Sequence, residues 1–181
     1  MTPEEYVQLR AFARYDGLLL ALLWTLIFAC YIIGMSNATM SLIAVALVFS
    51  VPVVVGVYLK HFRDNACGGV ISFRRGWAYV AMSFFYAALL FALVQYAYFA
   101  YLDHGYFMQM IRNLLDDPVN QQALSQYASK DTFDQMLSDM QSVRPIDLAL
   151  SMLQANIFIG ILLGLPLAGM MKSRKKPTTN Q

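Results

Sequence analysis

Four long stretches with no interior Lys, Arg, Asp or Glu decide what this chain can fold into. They run from Gly17 to Ser36, Met40 to Leu59, Trp77 to Tyr101 and Asp147 to Met171, with Asp147 standing at an end. A helix rising about 1.5 Å per residue needs roughly 20 apolar residues to cross about 30 Å of hydrocarbon, and each stretch supplies them. Hydrocarbon offers backbone groups no hydrogen bonds, so only helices or a closed barrel cross it. Continuous apolar runs without two-residue alternation select helices. Composition agrees: 59% of the 181 residues are apolar and 13% charged. That balance excludes a disordered chain, and two cysteines are too few for a disulfide scaffold or a four-thiolate metal site.

The expected architecture is therefore all-α. It is a single integral membrane domain over residues 1–181, with spans at about 17–36, 40–59, 77–101 and 147–171 and an external helical segment at about 102–146. Thr2, Pro3 and Glu5 supply an N-cap, an N1 proline and a capping-box acid, so the N-terminal segment should enter the first span as one helix. On it, Tyr6, Leu9 and Ala13 are expected on a membrane-facing side, with Arg10 and Arg14 reaching toward headgroups. Ser36 and Ala38 are spaced like a cleavage site, but the long acidic segment ahead of the span argues against a signal peptide.

Basic residues set the orientation. Arg10, Arg14, Lys60, Arg63, Arg74, Arg75, Lys172, Arg174, Lys175 and Lys176 fall on one side, against Arg112, Lys130 and Arg144 on the other. The positive-inside rule then places both termini in the cytoplasm. Between spans three and four, Phe107, Met110, Ile111 and Leu114 continue a helical spacing until Asp116, Asp117 and Pro118 stop it. A short helix around Leu124 and Tyr127 is expected next. A further one carries the apolar stripe Phe133, Met136, Leu137 and Met140.

Polar residues inside the spans are mild, including Gln95, Gln154 and Asn156, which suit interhelical hydrogen bonds. Pro52 and Pro166 interrupt backbone bonding in spans two and four. Asn156, Gly160, Gly164 and Ala168 recur every fourth residue and form a helix-packing seam, with a partner either in this chain or in another subunit. The stretch KHFRDNACGGVISFRRGW is the most distinctive of all. Lys60, Arg63, Arg74 and Arg75 flank a Gly68–Gly69 turn and a β-prone run, Val70 to Phe73, with Phe73 and Trp77 expected at the interface and Ser72 placed to cap the third span. These four bases suit contacts to lipid phosphate or a partner, and the same charges set topology.

No cofactor or metal is expected. His61 and His104 fall on opposite sides, Cys30 and Cys67 should be free thiols, and Asp116–Asp117 suit a solvated helix end rather than catalysis. Hydrolase, zinc-protease, Walker and dinucleotide motifs are missing, and the bases show no nucleic-acid-binding arrangement.

The span layout and the loop, in particular Arg63, Gly69, Ile71, Ser72 and Phe73, resemble a family of small bacterial inner-membrane proteins, the domain-of-unknown-function family DUF4199. The resemblance implies a bacterial inner-membrane location and brings no activity or catalytic residue. The expected function is a non-enzymatic interaction or accessory subunit working with a membrane-protein partner or as a homo-oligomer. The alternative is a carrier or flippase-like helper for a lipid or lipid-linked sugar.

Overall fold

The computed structural model describes residues 1–124, 126 and 129–173, with only the backbone given at residues 123, 124, 130, 137, 140 and 141. Expectations for Tyr127, for Arg174, Lys175 and Lys176, and for the side chains of Leu124, Leu137 and Met140 lie outside the described residues. The described residues form helices joined by short turns and loops, without a strand. In chain order the helices are α1 (Pro3–Gly34), α2 (Ala38–Ala66), α3 (Phe73–Ala97, extended by a π turn at Tyr98–Leu102), α4 (Tyr106–Asp116), α5 (Pro118–Leu124), α6 (Lys130–Ser142) and α7 (Pro145–Met171).

Helices α1, α2, α3 with its π turn, and α7 are long and apolar enough to cross a membrane. Only 17% to 39% of the residues in their most apolar windows are buried by protein. Burial of apolar area is worth about 25 cal/mol per Å², so leaving Leu18, Leu22, Leu42, Phe49, Val53 and Leu93 exposed to water would be costly. Lipid is the solvent that removes the penalty.

Local sequence explains the helix ends. Thr2 and Glu5 close the expected capping box, and α1 runs unbroken from Pro3. Asn37 caps α2 by accepting from Thr39 N at 3.0 Å and Met40 N at 3.3 Å. At its far end α2 turns on Gly68 and Gly69, whose φ angles of 60° and 79° suit residues without a Cβ. Ser72 caps α3, accepting from Arg75 N at 3.4 Å. The β-prone run forms no strand: Phe73 already begins α3, and Ile71 bonds to Ser173 instead.

The chain divides into two compact units. The first comprises residues 1–92 together with α7 from Met152 onward. Its core is Leu9, Ala13, Leu20, Trp24, Val55, Leu59, Phe62, Tyr79, Val80, Phe84 and Ala87. Trp24 meets Phe84 and Phe91 edge-on, with centroids 5.3 and 5.7 Å away. Leu9 and Ala13, expected to face lipid, are fully buried against protein, because the helix face they share with Leu20 and Trp24 is the one that packs inward. A Cβ on Gly17 would lie 2.8 Å from Tyr86 Cβ and 2.9 Å from the Ser83 carbonyl, so α1 and α3 touch closely there.

The second unit spans Leu93–Ser151. The helical spacing after Tyr101 predicts one continuous helix, whereas the chain breaks at His104 and Gly105, with φ of 46° and 83°. Asp103 stabilises the break by accepting from Gly105 N at 3.1 Å and Phe107 N at 3.0 Å, which starts α4. A side-chain acceptor at the first turn of a helix outcompetes apolar periodicity in placing its boundary. Helix α4 ends at Asp116 as expected, and Asp117 caps α5 by accepting from Val119 N at 2.8 Å. Phe99, Asp103, Phe107, Met108, Arg112 and Leu148 are among the residues lining an open cavity of about 480 Å³ within this unit.

Candidate functional site

The chemically distinctive part of the first unit is the end that carries Thr2 and the 67–72 loop. Arg75, one turn into α3, is drawn inward. Its Nη1 donates to Glu5 Oε1 at 3.1 Å, its Nη2 donates to Gln8 Oε1 at 2.8 Å, and its guanidinium carbon lies 5.5 Å from the Phe62 ring centroid. One arginine thereby joins α1, α2 and α3. The planar guanidinium permits this, pairing in its plane while stacking on an aromatic face.

Deeper along α1 lies Asp16, with 4% of its surface exposed. The Tyr79 hydroxyl on α3 donates to its Oδ2. The Tyr79 ring stacks on Phe62 with centroids 4.4 Å apart and planes 4° from parallel, and Phe12 packs against Phe62 at 5.5 Å. Tyr58 and His61 of α2 lie within electrostatic reach of the same carboxyl group. Sequence reasoning missed this pair because Asp16 stands immediately before the first apolar run, outside the span itself. The signal was present: a carboxyl group continuous with a spanning helix must find a partner or face water.

A third element is a clip between the loop and the end of α7. Ser173 N donates to the Ile71 carbonyl at 3.1 Å, Ser173 Oγ accepts from Ile71 N at 3.2 Å, and the same hydroxyl donates to the Gly69 carbonyl at 3.1 Å. The loop's backbone groups are satisfied by the tail rather than by strand pairing. Cys67 is half-buried beside this loop, and burial pushes its thiol above the ordinary cysteine range.

The four bases predicted to act together are divided. Arg75 is committed to Glu5 and Gln8, and Arg63 Nε lies 2.8 Å from Asp64 Oδ1, while Lys60 and Arg74 are exposed. The Trp77 indole donates to the Ile161 carbonyl of α7 at 3.0 Å.

The small-residue seam of α7 lies against α3 of the same chain. A Cβ on Gly160 would fall 2.3 Å from Phe84 Cβ, one on Gly164 would fall 3.0 Å from Trp77 Cδ1, and Ala168 Cβ lies 3.4 Å from where a Cβ on Gly76 would stand. Asn156, the fourth member, is half-buried, while Gln154 is exposed. Among the described residues, no group of three or more His, Cys, Asp or Glu side chains is positioned to hold a metal.

Four apolar helices, largely unburied by protein and tied together by polar contacts at one end, define a multi-pass membrane protein. The family is identified over residues 15–173, which match the model for DUF4199, proteins of unknown function. The chain belongs to that family. No curated protein and no solved structure matches it.

Proposed function

We propose that the chain is a non-enzymatic accessory or interaction protein of the bacterial inner membrane, with both termini in the cytoplasm. The observation that supports this reading best is how α7 packs. Its small residues are consumed by Phe84, Trp77 and Val80 of α3, and Gln154, a polar group that would serve a neutral passage, is exposed. Helices in such contact form a scaffold rather than the wall of a polar path.

In this reading the Arg75 pairing and the Ser173 clip hold the loop in one arrangement and leave Lys60 and Arg74 outward for a partner's acidic surface or anionic headgroups. The second unit, with its amphipathic helices and its open cavity, is the other surface available to a membrane partner. The carrier reading is weaker because Gln154 is exposed rather than turned toward the other helices.

Purification from native membranes in mild detergent, after cross-linking, tests the proposal. Recovery of a stoichiometric membrane-protein partner or a homo-oligomer supports it. A strictly monomeric protein with no cross-linked partner overturns it.

A further inference from the structure

We propose that Arg10 and Arg14 of α1, with Tyr86 of α3, form a binding site for the phosphate of an anionic phospholipid. The two arginines stand one helical turn apart on the same side of α1. The Tyr86 phenol is the shared neighbour of both guanidinium groups, and the Arg14 guanidinium carbon lies 5.8 Å from its ring centroid. Arg10 lies 5.7 Å from the Tyr6 ring centroid.

What sets Arg10 and Arg14 apart from the exposed Lys60 and Arg74 is that they stand together on one helix face around a shared phenol. Glu5 is taken by Arg75 and Asp16 by Tyr79, and neither Arg10 nor Arg14 has a carboxylate partner among the described residues. Arg10 Nε, like Arg75 Nε, is buried and lacks an acceptor among the described residues, but Arg75 already holds Glu5 and Gln8. A buried donor left unmade is costly, and an oxygen-rich anion would supply its acceptor. Two guanidinium forks and a phenolic hydroxyl match the oxygens of a phosphodiester better than they match a single carboxylate.

Position selects a lipid as the source of that phosphate. Arg14 precedes the first apolar run by three residues, about 4.5 Å along the helix, so its long side chain can reach headgroup level even though Tyr86 stands within the third apolar run. Beside it Tyr15 and Leu18 are exposed, offering aromatic and aliphatic surface for the chains below the phosphate. This site is separate from Lys60, Arg63, Arg74 and Arg75 and does not depend on a protein partner.

The test is native mass spectrometry of the full chain in mild detergent with phosphatidylglycerol, with phosphatidylcholine, and with phosphatidylglycerol plus inorganic phosphate. Phosphatidylglycerol should be retained over phosphatidylcholine. Each arginine near a charged headgroup is worth about fivefold, so R14Q should lower retention about that much and R10Q/R14Q further. R144Q serves as the control, since Arg144 is already paired with Asp147. Arg14 is exposed, so R14Q keeps the measurement interpretable if the double variant fails to fold. Unchanged retention in R14Q, or equal retention of both lipids, would overturn the proposal. Displacement of the lipid by millimolar inorganic phosphate would overturn its lipid source.

Discussion

Tyr79→Phe isolates the polar contribution of the buried pair, because it deletes one oxygen and leaves the ring stacked on Phe62 at 4.4 Å. The transfer cost of a ring changes little, so the loss comes from Asp16, a residue only 4% exposed whose carboxyl group would be left without the Tyr79 donor. Leaving a buried polar group unsatisfied costs about 2 kcal/mol, roughly a thirtyfold shift in the folding equilibrium. Asp16→Leu alone should also destabilise, since it orphans the Tyr79 hydroxyl. The double variant D16L/Y79F should recover most of the loss, because removing both partners of a buried pair is often near neutral. Unfolding of the detergent-solubilised protein, followed through the fluorescence of Trp24 and Trp77, gives the four corners of a double-mutant cycle. A coupling energy below about 0.5 kcal/mol would refute the reasoning, since contacting residues couple more strongly than that.

Gly160→Ala should lower stability by about 1–3 kcal/mol through overlap with Phe84, while Gly169→Ala, whose Cβ would meet nothing within 4 Å, should be neutral or stabilising; equal melting temperatures would contradict the packing described. Glu5→Gln should weaken the Arg75 contact and make the N-terminal turns of α1 more susceptible to limited proteolysis, whereas Glu4→Gln, with no such contact, should not. Cys67 is predicted to react with a maleimide more slowly than an unfolded control at neutral pH. Its raised thiol value means less thiolate there, and the two rates should converge as pH rises through that value. Reporter fusions after residue 130 and after the last residue should report opposite sides of the membrane. An internal signal after residue 130 with an external one after the last residue would reverse the orientation proposed, and the same side for both would contradict a crossing by α7.

Much of the fold was legible because hydropathy is a local property. The apolar runs, the capping box at Thr2, the stop at Asp116 and the turn at Gly68 and Gly69 each depend on residues close together in the chain. The break at Asp103–Gly105 was less legible, since helical apolar spacing continues on both sides of it and a side-chain cap decides the boundary. The candidate site was harder still. Arg75 read as one of four bases in a loop, but its partners Glu5 and Gln8 lie some seventy residues earlier in the chain.

The sequence by itself determined that the chain spans a membrane with four helices, because the cost of placing backbone and side chains in hydrocarbon is summed residue by residue along a segment. Only the tertiary structure decided which face of α1 meets protein, that the α7 seam is filled by α3, and that Asp16 finds Tyr79. Those outcomes depend on the rotation and depth of one helix against another. In lipid, where inward and outward faces are almost equally apolar, hydropathy carries little information about either, so close packing and a few polar pairs choose between them.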